Sequence, residues 1–114
     1  MPTDRVLQRL EDIIENAEAI AQYVAGMTLA SFEADRKTYD AVERCLERIA
    51  EAAAKLGELA SELVPGQPWP QVRALGNRLR HEYHAIRVER IWAIVQGDVP
   101  ALGAACVEAV RRLM

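Results

Sequence analysis

An unbroken apolar seam runs through the middle of this chain. Tyr39, Val42, Leu46, Ile49, Ala53, Leu56, Ala60 and Leu63 recur at alternating steps of three and four. That spacing returns side chains to one face of an α-helix and alternates on no strand. It predicts a helix from about Asp35 to Val64, roughly 45 Å long at about 1.5 Å per residue. In a chain of 114 residues, shorter helices must then pack along this rod. Small residues on it (Ala50, Ala52, Ala53, Ala54, Gly57 and Ala60) leave room for a close neighbour, from this chain or from a second subunit.

The flanking segments carry the same period. Val6, Leu10, Ile13, Ala17, Ile20 and Val24, widened by Leu7, Ile14 and Ala21, predict a first helix from about Asp4 to Ala25. Thr3 or Asp4 can cap it and Gly26 can stop it. Thr28 or Ser31 opens a short turn that tucks Phe32 against the core. Pro65-Gly66-Gln67-Pro68 ends the long helix, and Trp69-Pro70 starts a third, with proline where its missing N–H costs nothing. The third helix is expected to reach His84 or Ala85. A fourth starts near Val88 and closes at Gly97. Asp98 then caps a fifth, with Pro100 in its first turn and Leu102, Cys106, Ala109 and Leu113 as its stripe. Aromatics make up 5% of the chain and β-branched residues do not alternate, so strands are not expected. The expectation is an all-α, up-and-down bundle of about five helices with one long second helix, forming a single domain over residues 1–114.

About half of the residues are apolar, yet no run approaches a membrane span and no signal peptide is visible. Cys45 and Cys106 lie far apart inside helical patterns, as expected of reduced core thiols in a cytoplasmic protein. Net charge is −3, which argues against indiscriminate nucleic-acid binding. Its distribution says more. Between Gln71 and Arg90, five arginines (73, 78, 80, 87 and 90) face two glutamates, a local net of +3 that leaves −6 elsewhere. A small basic island on an acidic body suits a confined anionic ligand.

On the third helix, Trp69, Val72, Leu75, Leu79, Tyr83 and Ile86 fall on one side, and Arg73, Asn77, Arg80, His81 and His84 on the other. The second face gathers both histidines of the chain with arginine and an amide. Histidine exchanges protons near neutral pH, and the guanidinium fork fits phosphate oxygens. Together they are equipped to bind and cleave a phosphodiester. A di-metal carboxylate site would need Glu-x-x-His pairs. The residues three before His81 and His84 are Arg78 and His81, so that site fails. His81 with His84 could bind one metal ion, but no carboxylate shares their face, and neither a metal nor a cofactor is expected.

Pro68-Trp69, Gly76-Asn77-Arg78-Leu79-Arg80-His81-Glu82-Tyr83, Ile91-Trp92-Ala93-Ile94-Val95 and Val99-Pro100-Ala101-Leu102 together resemble the HepT-like branch of the HEPN superfamily, the ribonuclease toxins of HepT–MntA type toxin–antitoxin modules. The family motif is an arginine, usually a polar residue, three more residues, histidine, any residue and tyrosine. Asn77, His81 and Tyr83 match it, and Gly76 stands at the place of the arginine. The resemblance implies a HEPN-like fold and a metal-independent endoribonuclease in which two subunits line one cleft. It implies His81 as proton carrier beside Asn77; with no arginine at the motif position, Arg80, adjacent to His81 on the polar face, is expected to hold the phosphate, with Arg78 as the fallback. Arg73, Tyr83 and His84 are the expected substrate contacts. The implied partners are RNA, a second copy of the chain, and a nucleotidyltransferase antitoxin of the minimal (MNT-domain) type that adds AMP to Tyr83. The rival expectation is a catalytically impaired module that binds RNA or the nucleotidyltransferase and cuts nothing.

Overall fold

The computed structural model describes residues 2–82 and 86–114. Every regular element among them is helical: α1 (Pro2–Tyr23), α2 (Leu29–Ala34), α3 (Arg36–Leu56), α4 (Leu59–Leu63), α5 (Trp69–His81), α6 (Val88–Ala93) and α7 (Val99–Leu113), with one π-helical turn between the last two (Ile94–Asp98). The principal contacts pair α1 with α3, α3 with α5, and α1 with α7. The all-α expectation therefore holds, with α3 and α1 at the centre and α5 and α7 on either side.

The seam that organises the sequence is buried as its period requires. Val42, Leu46, Ile49, Ala53, Leu56 and Ala60 all belong to the core. The rod itself is broken. At Gly57 the backbone takes φ 58° and ψ −134°, a conformation that favours glycine, and α4 restarts two residues later. Ala60 keeps its place in the core across the break, so the apolar phase survives although the helix does not. Periodicity reports the phase and is blind to one unusual residue.

Three other expectations are corrected. The first helix begins at Pro2, which places Thr3 and Asp4 within it rather than ahead of it. The fourth and fifth helices are joined: Gly97 does not close one, and Asp98, with helical φ and ψ and no side-chain cap bond, does not start the other. Instead the Val99 N–H reaches back five residues to the Ile94 carbonyl. This wider turn precedes Pro100, which would otherwise disrupt a regular α-helical turn by lacking an N–H and crowding the carbonyl four residues back. The joined segment Val88–Leu113 spans 26 residues and contains an 18-residue window of mean hydropathy 1.3, long and apolar enough by length and composition to cross a membrane. Val95, Val99, Leu102, Cys106 and Ala109 from it are buried in the bundle. Lastly, α5 ends at His81, short of the expected His84 or Ala85. Glu82 leaves the helix at φ −137° and ψ 32° while its N–H still bonds the Arg78 carbonyl. Ile86, buried, pins the chain to the core before α6 begins.

Local chemistry sets the ends of the short elements. Gly26 ends the turn after α1 at φ +77°. Thr28 caps α2 in a reciprocal box with Ser31, and Asp35 caps α3 by accepting from the Thr38 N–H and hydroxyl. Those bonds, the backbone one foremost, hold the Asp35 carboxyl below its ordinary pKa. Phe32 is fully buried between the rings of Tyr39 and Trp92, at centroid distances of 5.4 and 5.0 Å. Both cysteines are buried and unbridged.

Candidate active site

Helix α5 carries the candidate site, and its placement starts from Trp69. The ring is buried and its Nε1–H donates to the Val64 carbonyl at 2.9 Å, satisfying the indole's single donor. That bond staples the end of α4 to the start of α5 across the Pro-rich loop. Trp69, Gly76 and Leu79 then face inward, with Val72 and Leu75 half-buried beside them.

The outward face holds Asn77, Arg78, Arg80 and His81, all exposed, with Arg73 half-buried at its edge. Asn77 and Arg78 precede His81 by four and three residues and so are its neighbours on the helix surface. Arg78, Arg80 and His81 occupy the last turn, where cations meet the negative end of the helix dipole. Among the described residues, none of Arg73, Arg78, Arg80 and Arg90 has a carboxylate partner, whereas Arg87 pairs with Glu89 at 3.5 Å. Tyr83 and His84 lie outside the described residues.

Gly76 is the residue the face pattern missed. It is buried where α5 crosses α3, and a Cβ built on it would collide with the Ala50 Cβ. The same point lies 3.6 Å from Nη1 of Arg80. The Arg80 side chain thus folds back one turn, and its guanidinium lies over Gly76.

A family model described as ribonuclease HepT-like matches residues 13–109. The chain belongs to the HepT-like ribonuclease family. Similar proteins include "Putative RNase MJ0127" of Methanocaldococcus jannaschii, 40% identical over 88% of this chain and 83% of that protein. "Probable ribonuclease HepT" of Thermococcus cleftensis is 34% identical over 82% and 84% of the two chains. No solved structure matches. His81 is exposed at the end of α5, in the same last turn as Arg78 and Arg80.

Beside this face opens a cleft of about 420 Å³ between α3, α5 and the α6–α7 segment. Leu46, Ile49, Val72, Leu75, Val99 and Leu102 supply apolar walls, and Gln67, Gln71, Arg78, Arg90 and Asp98 supply its polar groups. Gln67, Gln71 and Asp98 are not legible in the sequence as ligand-facing groups. The signal was the Gly97-Asp98-Val99-Pro100 run, which reads as a helix start and turns out to be the π-helical turn that lines the cleft.

Proposed function

We propose that this chain is a metal-independent endoribonuclease acting as a homodimer, the toxin of a cytoplasmic toxin–antitoxin pair, through a degenerate form of the Arg-x4-His-x-Tyr motif. What supports the reading, beyond family membership, is the Arg80 guanidinium lying over Gly76 on the helix that ends in an exposed His81. RNA carries its own nucleophile. A base removes the 2′-hydroxyl proton, O2′ attacks phosphorus, the P–O5′ bond breaks, and a general acid protonates the departing oxygen. The product ends are a 2′,3′-cyclic phosphate and a 5′-hydroxyl. His81 serves as one proton carrier and His81 of a second copy as the other. Arg80 holds the nonbridging oxygens as charge builds on them. Asn77 orients the imidazole or a phosphate, Arg78 is the reserve cation, and Arg73 extends the strip with Tyr83 and His84 as further substrate contacts. A nucleotidyltransferase partner neutralises the toxin by adding AMP to Tyr83.

One observation favours the rival reading. The close Gly76–Ala50 contact leaves the motif's arginine position sealed against α3, as suits a module that binds RNA or its partner without cutting. The deciding assay is cleavage of a structured RNA by the purified chain in EDTA. Slow cleavage that ends in cyclic phosphate is expected. Intact RNA, from a chain that still binds it, would establish the rival.

A further inference from the structure

The cleft beside α5 is of the size that takes a small ligand, since such pockets run from about 300 to 1,000 Å³, and at about 420 Å³ it sits near the lower end. Its walls are aliphatic. Two exposed arginines, Arg78 from α5 and Arg90 from α6, stand among its lining residues without a carboxylate partner among the described residues. An apolar slot edged by two unneutralised guanidinium groups matches one chemistry well: a flat, uncharged ring attached to a phosphate. Two amides, Gln67 and Gln71, and the Asp98 carboxylate lie around it, able to hydrogen-bond the edge of such a ring.

Two further observations join this cleft to the site. Arg78 belongs to both, because it lines the cleft and neighbours His81 at three residues along the helix. The π-helical turn Ile94–Asp98 supplies two of the lining residues, Ile94 and Asp98, and π-bulges inside α-helices are frequent at functional sites. A regular α-helix would present these two side chains in another direction.

We infer that the cleft is a base-binding subsite: it receives one unstacked RNA base flanking the scissile phosphate, with the backbone phosphate of that nucleotide held by Arg78 and Arg90. The inference rests on the ribonuclease reading and adds to it a substrate class, single-stranded or looped RNA with one base splayed out of the stack, as sequence-sensitive RNA recognition commonly requires. A continuous duplex offers no such base.

The test uses the full chain and a set of short 2′-O-methyl RNAs, which cannot be cleaved, each lacking one base at a successive position. Binding is read by fluorescence anisotropy. The parent chain should lose about tenfold in affinity when one particular base is missing, the scale of withdrawing one apolar face from water, and should be nearly indifferent at the others. Ala101→Trp, from an exposed position on the cleft wall, should erase that position dependence. Ala74→Trp, from the opposite wall and also exposed, should do the same if the first variant folds poorly. A flat profile in a parent chain that cleaves unmodified RNA overturns the subsite and leaves the ribonuclease reading standing. A parent chain that neither binds nor cleaves RNA overturns both. Filled-cleft variants that change the sedimentation of the protein and keep the parent's profile would make the cleft an interface between copies, against the inference.

Discussion

Gly76 of α5 and Ala50 of α3 meet so closely that a single added carbon on the glycine would collide with the alanine methyl group. The contact sets the spacing of the helix that carries His81 against the helix that organises the fold. It also bears on the proposed motif, in which Gly76 takes the place of the arginine. Here that position is spent on helix packing, and the Arg80 guanidinium, 3.6 Å from the same point, lies over it.

Restoring the motif by Gly76→Arg should therefore fail. Overpacking a tight contact costs typically about 1–3 kcal/mol, more for a side chain this large, and the expected outcome is a lowered thermal midpoint without a gain in cleavage. Gly76→Ala is the gentler probe. It gains up to about 1 kcal/mol of helix propensity and loses more than that to the collision. Ala50→Gly in the same chain should relieve the collision, so a double-mutant cycle by urea unfolding should give a coupling of about 0.5–3 kcal/mol. Additive effects would mean that α5 simply moves away.

Much of this architecture was legible because burial follows period: Val42 to Leu56 on α3 and Trp69 to Leu79 on α5 are inward where spacing puts them. What was not legible has local causes. Gly57 breaks the long helix through one backbone conformation that leaves the apolar phase intact. Gly97, Asp98 and Pro100 look like a stop, a cap and a first-turn proline. The helix instead passes through them by widening one turn, which puts two expected helices into one. Gly76 has no side chain to register on either face, so pattern counting ignores the residue at which α5 presses against Ala50 of α3. Asn77, Arg80 and His81 were visible as a polar face and Arg78 only as part of the basic island, whereas the cleft beside them depends on elements far apart in the chain and has no sequence signature.

Substitution on that polar face should separate the candidate roles. His81→Ala should abolish EDTA-resistant cleavage. Arg80→Ala should lower the rate by about 10²–10³-fold, the usual loss for one transition-state charge contact, and by more than Arg78→Ala does. None of these residues is buried, so the variants should unfold within about 0.5 kcal/mol of the parent chain. If His81→Ala cleaves as fast as the parent, the activity belongs to a contaminant.

The buried thiols yield a prediction about pH. Burial pushes the Cys106 thiol up to about 12 and raises that of Cys45 as well, from an ordinary value of 9.0. A thiol whose pKa is raised by folding favours the folded state fully below the unfolded pKa. That advantage is lost as pH climbs from about 9 through the folded value. Stability measured by denaturant should therefore fall above pH 9, less steeply in Cys106→Ala after its own packing loss is subtracted. At pH 8, iodoacetamide should label neither cysteine in the native chain and both in urea, because the reactive thiolate is scarce and enclosed.

Tyr83 is tested by its mass. Co-expression with an active nucleotidyltransferase partner should add one or more AMP units to this chain, and Tyr83→Phe should remove them. The added phosphate would sit a few residues from Arg78 and Arg80 and compete with RNA for their charge, so the modified chain should bind RNA more weakly. A chain that leaves co-expression unmodified would count against the partner.

A cleft shared by two subunits makes its own demand on mixtures. If each cutting site needs His81 from both copies, a His81→Ala chain poisons whatever parent chain it pairs with. After subunits are exchanged at equal amounts, about half of the parent chains sit in mixed dimers, and activity per parent chain should drop by about half. A tenfold excess of the variant should nearly silence the parent. A site complete within one chain behaves otherwise: the parent's activity stays constant however much variant is added. The same samples, sized by light scattering at micromolar concentration, must contain a dimer for the exchange to mean anything, and a strictly monomeric chain with undiminished cleavage would refute the shared cleft.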